Sequence, residues 1–364
     1  MKRITYFILL VFICSCSKEE HLKPGDKTKN NKFEILDLDR LSYTKGSNPL
    51  SFVSTAYGRA NADGDRPSIM LAKTGWTHPS VLYIPEKWNS FPYWMAITPY
   101  PGGDSQYENP HIFHSVDGNN WMEPAGGINP ITPCPEGVAY NSDVNLLLDN
   151  KKLLCYYRKS SFPTDRSLLV TETTDGQRWT DDKLVCQWPF KGIDMIAPSV
   201  IKDNDKYYTY AISTGEPIAG NYFNEIAIRR IVSSSPNQYP DLIRDVNYVK
   251  INVKNRPWGS GQDPWHLEVR KVGQLWMMLV TSTRHGGYGS SGSLYLGYSL
   301  NGIDFEFGNA LGDIVGTYKS SFSALFDKDS NSLKVDVWRA MMVGGWQVYK
   351  DQCHIPVKNN RFFN

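Results

Sequence analysis

The sequence predicts an all-β chain folded as a five-bladed β-propeller, and two observations carry that expectation. The first is a recurring turn: Ser115-Val-Asp117-Gly118-Asn-Asn-Trp121, Thr173-Thr-Asp175-Gly176-Gln-Arg-Trp179 and Ser299-Leu-Asn301-Gly302-Ile-Asp-Phe305. A degraded copy, Ser233-Ser-Ser-Pro-Asn237-Gln-Tyr239, keeps the spacing from serine to aromatic. Asp-Gly or Asn-Gly supplies the positive φ of a hairpin turn, and the aromatic three residues after the glycine packs back between strands. The second is a short apolar strand, opened by polar residues and followed by an aromatic strand, that recurs along the chain. One signature per four short strands suits propeller blades, whereas a large β-sandwich has no reason to repeat it.

Five inner-strand units follow in order: His78-Pro-Ser80, Asp143-Val-Asn145, Ala197-Pro-Ser199, His266-Leu-Glu268 and Lys319-Ser-Ser321. Their second strands are Tyr93–Ile97, Leu154–Tyr157, Tyr207–Tyr210, Leu275–Leu279 and Lys334–Trp338. Side chains alternate along a strand, so positions one and three of each unit point the same way. In a propeller both sets face the central funnel. The first ring is then His78, Asp143, Ala197, His266 and Lys319; the next is Ser80, Asn145, Ser199, Glu268 and Ser321. Two acids and two histidines converging on otherwise apolar strands favour a site over a merely hydrated channel. Asp143 stands out, because a carboxylate at the mouth of a buried strand costs free energy unless it is paired or used.

Loops on the same face add ligand-grade residues: Glu108 in blade one, Arg158 and Arg166 in blade two, Glu225 in blade three. Blade four adds Asp263 and Arg284, and blade five Arg339. The turn Trp258-Gly-Ser-Gly-Gln-Asp263-Pro-Trp265 reads as a pocket wall; no helix follows it, so it is no phosphate cradle.

A formal charge of +2 over 364 residues excludes a bulk electrostatic drive toward nucleic acid or an anionic membrane surface. The expected state is a monomer. At the N-terminus, Lys2-Arg3 precede the apolar run Ile4 to Ile13, too short to span a bilayer and suited to a secretory signal. Ile13-Cys14-Ser15-Cys16 resembles a bacterial lipobox, and the following Ser17-Lys18-Glu19-Glu20 resembles the acidic tag of surface lipoproteins of Bacteroidetes type. The expected division is a signal over 1–16 with Cys16 lipidated, a polar tether over 17–32, and one propeller domain over 33–364. The resemblance implies an outer membrane lipoprotein, held by its lipid at the cell surface or facing the periplasm. Cys134, Cys155, Cys186 and Cys353 lack the spacing of a zinc site. Cys155 and Cys186 could pair, or remain buried thiols.

The blade pattern, from Gly75 to Tyr349, resembles the five-bladed propeller glycoside hydrolases of family 43 and, more distantly, family 32. Those enzymes use a base in blade one, a tuning Asp in blade two and an acid Glu in blade three. Asp143 alone matches. His78 stands where the base would be, and Ile196-Ala197-Pro198 where the acid would be. The resemblance implies hydrolysis of a plant, algal or host polysaccharide or oligosaccharide by a funnel carboxylate pair. Asp143 is one member, Glu268 the leading candidate for its partner, and Glu225 and Glu108 are reserves. His78, His266, Arg158, Asp263, Trp265, Arg284 and Lys319 would bind the sugar. No cofactor is required, with a structural Ca2+ in the central channel, near His266 or His78, as the candidate cation. The rival is a surface lipoprotein that binds glycans without chemistry.

Overall fold

In the computed structural model, residues 34–53, 75–132, 140–161, 165–189, 195–213, 226–239, 249–285, 291–312 and 316–363 are described. The signal, Cys16, the tether, Cys134 and Glu225 lie outside them. The described strands form five blades, antiparallel except for one short parallel outer pair in each of blades one and four. Blade one runs outward from Trp76–Trp88, blade two from Tyr140–Asp149, blade three from Met195–Asp203, blade four from Gln262–Val272 and blade five from Ser321–Asp327. These are the five units expected from the sequence. In blade five the chain's own last strand, Trp346–Pro356, takes Ser42–Thr44 as its outer neighbour, with Tyr43 opposite Cys353. A few residues on, Ser51–Val53 pairs in parallel with the outer strand of blade one. One N-terminal segment thus clasps the first blade to the last.

Apolar side chains fill the space between blades. Leu146, Leu153 and Cys155 of blade two pack on Trp94 and Ile112 of blade one, while Tyr156, Leu168 and Cys186 pack toward blade three. Cys155 and Cys186 therefore belong to opposite faces of one sheet, and both are free, buried thiols.

The recurring turn explains how blades dock. Asp117 Oδ1 accepts from the amides of Asn119 and Asn120 at 2.8 and 2.9 Å, and Ser115 Oγ accepts from the Gly118 amide at 2.9 Å. Asp175 and Asn301 repeat the arrangement. Gly118 has φ 73°, in the left-handed region where a side chain is strained. Its carbonyl accepts from Trp338 Nε1 of blade five at 3.0 Å, and the Gly302 carbonyl accepts from Tyr210 Oη of blade three at 2.8 Å. Gly176 likewise abuts the Trp94 ring of blade one. Each of these turns seats on a second-strand aromatic of the preceding blade, so the signature serves assembly.

Three of the five inner strands share a defect. Register jumps from Thr77 to Ser80, from Ser142 to Asn145 and from Ile196 to Ser199. At these bulges His78, Asp143 and Ala197 adopt φ of 54°, 55° and 50°. Non-glycine residues in that region cost about 1–3 kcal/mol each and cluster at functional sites. In these three strands the bulge carries the first residue of the unit, whereas in blade four the irregularity lies between Pro264 and His266.

Candidate active site

Three side chains from three blades meet at the top of the funnel. His78 Nε2 and His266 Nε2 each lie 3.7 Å from Asp143 Oδ1. All three residues are buried, and one ligand-type atom from each falls within 4.8 Å of the others. Asp143 divides its two oxygens: Oδ2 accepts from Arg158 Nε at 2.7 Å, while Oδ1 has no hydrogen-bond partner. Burial alone would raise the Asp143 carboxyl, but Arg158 and then the histidines outweigh it and hold it well below the usual carboxylate range. It stays an anion.

The histidines stay neutral. Burial pushes His78 down to about 4, partly opposed by Asp143, and His266 is pushed well below its ordinary value for the same reason. His78 Nδ1 lies 3.2 Å from Thr98 Oγ1 and 3.4 Å from Glu108 Oε1, partners that suit an Nδ1–H tautomer and leave Nε2 with its lone pair. His78 Nε2 is itself buried without a hydrogen-bond partner. Two neutral imidazoles and one carboxylate, each with an uncommitted atom at one point, fit a divalent transition metal. Tetrahedral ligands at ordinary zinc distances sit about 3.4 Å apart, close to the two His–Asp separations here.

Around these three stand groups that can move or hold protons. Glu108, buried at the end of a short 3-10 turn, has its carboxyl raised well above the ordinary value by burial and then by Asp143. Tyr318 was not anticipated from the sequence. Its ring lies 4.3 Å from that of His266 and 4.9 Å from that of His78, and burial holds it as a phenol. Trp346 packs on Tyr318 at 4.8 Å and Tyr100 on Trp346 at 5.9 Å, extending an aromatic wall from the ligands outward. The only sequence cue to Tyr318 is its place just before Lys319.

The other expected residues divide by depth. Glu268 belongs to the second ring: it pairs with Arg270 and lies 3.4 Å from Lys319 Nζ. It also accepts from Ser80 Oγ at 2.9 Å. That ring is a belt, in which Ser321 Oγ, Ser80 Oγ, Asn145 Oδ1 and Ser199 Oγ accept the amides of Val81, Leu146, Val200 and Val269 of the next blade. Glu268 is thus placed as counter-ion to two cations, rather than beside Asp143 across a sugar. Lys319 Nζ is fully buried on Glu268 and two backbone carbonyls and has no exposed surface to offer a sugar. Trp265 is buried against Ile196 and Ala197 rather than on the rim, which accounts for the small residue in blade three. Asp263 is held by Arg256 at 3.2 Å and by exposed His285 at 2.7 Å. Arg284 is exposed at a strand end, Arg339 is paired with Asp351 inside blade five, and Arg166 stands on the third strand of blade two.

The titration of the site predicts an acid-side loss of stability in metal-free protein. Between about pH 6.5 and 4 the unfolded chain protonates His78 and the folded chain does not, so stability falls as pH falls through that window. For His78 the loss is about 3 kcal/mol. Glu108 acts oppositely, keeping its proton in the fold above its ordinary 4.5, so its contribution falls as pH rises. Urea unfolding at stepped pH should show the histidine slope in the native sequence and a shallower one in His78→Asn.

No protein-family profile matches the chain. Over 267 residues it is 26% identical to the "A type blood N-acetyl-alpha-D-galactosamine deacetylase" of Flavonifractor plautii, a match covering 63% of this chain. The chain spans about a third of that curated relative, 34% of its length. Among solved structures, an N-acetylgalactosamine deacetylase from F. plautii in complex with blood group B trisaccharide superposes with TM-score 0.67 at 19% identity, covering 88% of this chain and 95% of that one. An alpha-L-arabinanase of Penicillium chrysogenum complexed with arabinobiose gives 0.50 at 15% identity, covering 88% and 97%. A thermostable family-43 glycoside hydrolase gives 0.50 at 13%, covering 79% and 93%. The chain is a five-bladed β-propeller of the architecture these carbohydrate-active enzymes share.

Proposed function

We propose that the chain is a metal-dependent hydrolase acting on carbohydrate, and that its reaction is removal of the N-acetyl group from an amino sugar. The observation that carries this reading is the convergence of His78, Asp143 and His266 with Asp143 Oδ1 and His78 Nε2 unbonded. Two imidazoles and one carboxylate make the ligand composition of a catalytic zinc site with an open position. The kinship to a deacetylase supplies the substrate class. His78, Asp143 and His266 would hold the metal, which when bound supplies Lewis acidity toward an acyl carbonyl and toward water.

The chain's own groups account for the rest. Arg158 keeps Asp143 anionic and fixes which oxygen faces the histidines. Glu108, whose carboxyl burial holds well above its ordinary value, can keep a proton and give it to a leaving amine. Tyr318 keeps its proton and lies within electrostatic reach of Glu108 and Asp143, where it can donate to a developing oxyanion. The wall of Trp346 and Tyr100 offers flat apolar faces to a sugar ring and excludes water.

Glycoside hydrolysis is the second reading, and one observation favours it. Glu108 and Asp143 are buried carboxyls whose proton affinities are driven apart, as an acid and its anionic partner require. Both readings are tested on one panel of N-acetylated and non-acetylated oligosaccharides, with and without a chelator. The deacetylase reading expects free acetate, no new reducing ends, and loss of turnover on chelation. New reducing ends in the presence of chelator would instead establish the glycosidase.

A further inference from the structure

Below the ligands the axis of the propeller is filled by charge. Lys319 Nζ lies 2.7 Å from the carbonyl oxygen of Val144, 3.2 Å from that of Pro79 and 3.4 Å from Glu268 Oε2. Its side chain is fully buried. Pro79 and Val144 directly follow His78 and Asp143, and both sit inside the bulges where the register skips. Neither carbonyl therefore belongs to a paired rung of its own sheet. A buried carbonyl without a donor is destabilising, and one ammonium satisfies both.

We propose that Lys319 is the built-in cation of this propeller and a positioning residue for the metal site, an inference that rests on the metal reading given above. Three N–H donors directed at three oxygens do for the channel what a small cation with oxygen ligands would do. The Lys319 ammonium stands in place of the channel Ca2+ suggested by family resemblance. It ties together the two strained bulges that aim His78 and Asp143, so blades one and two cannot shift independently. Glu268 balances its charge from below, and Arg270 anchors Glu268 while bonding Val81 O at 3.0 Å and Leu146 O at 3.3 Å. The column thus grips both inner strands at two heights.

The test is Co2+ titration of metal-free protein, followed by calorimetry and by visible absorption, which reports ligand geometry. Lys319→Met should bind Co2+ about 10- to 100-fold more weakly, the usual cost of losing a group that orients ligands, with an altered spectrum. Removing a like charge beneath the metal would by itself tighten binding, so weaker binding reads positioning alone. Should Lys319→Met fail to fold, Lys319→Gln keeps the position polar but is one bond too short to reach both carbonyls, and it must also bind more weakly. Native affinity and spectrum in either folded variant overturn the proposal. A native chain that binds no Co2+ overturns the metal reading itself, and this inference with it.

Discussion

Replacing His266 by phenylalanine is expected to abolish metal-dependent turnover while leaving the propeller folded. The side chain is buried, neutral and flanked by Trp265 and Tyr318, with Nδ1 meeting no protein acceptor. Exchange for an apolar ring of similar shape leaves no new buried charge, so stability should hold within about 1 kcal/mol. On the proposed reading the metal would lose one of its three protein ligands. Several kcal/mol of transition-state stabilisation goes with it, which is about a thousandfold or more in kcat/KM. Acetate release, bound metal by atomic absorption and the urea midpoint separate these effects. Asp143→Asn makes the contrast, because it removes the buried carboxylate that Arg158 Nε bonds at 2.7 Å and should lower stability and activity together. Full turnover in His266→Phe would sink the assignment of the ligands.

Glu268→Gln is expected to behave in the opposite way. The variant is isosteric, but it leaves Lys319 and Arg270 buried without their carboxylate. Breaking such a group by removing one partner costs about 3–5 kcal/mol. Denaturant unfolding should therefore show a large loss of stability, while the protein that remains folded loses far less turnover than His266→Phe, because Glu268 touches none of the three proposed ligands. A fall in kcat without a fall in stability would instead return Glu268 to the role its ring position first suggested.

That contrast shows where sequence reasoning reached and where it stopped. The blades were legible because turn chemistry and strand alternation are local: Asp117, Asp175 and Asn301 each satisfy amides two and three residues ahead. Three members of the first ring were legible too, since stacking the repeated units puts His78, Asp143 and His266 on one level. What each member does was not. Two histidines beside an aspartate read as sugar binders when the only template is a carboxylate pair. The neutral state of the imidazoles and the unbonded Asp143 oxygen exist only once three blades close around them. Lys319 and Glu268 were misleading for a simpler reason: they are paired with each other in the buried belt, and alternation says nothing about depth. Tyr318 was missed because its role depends on the rings it covers.

The clasp made by the N-terminal segment sets the order of events in time. Tyr43 hydrogen-bonds Asp351 across 308 residues of chain, and the strand holding Tyr43 completes blade five only after Trp346–Pro356 exists. Contacts so distant along the chain form slowly, because loop closure must precede any gain from pairing. Until then the outer edge of Trp346–Pro356 lacks its neighbour and is open to pairing with another chain. The four leading blades can assemble as they emerge, whereas the ring, and with it the fixed spacing of His78, Asp143 and His266, waits for the last strand.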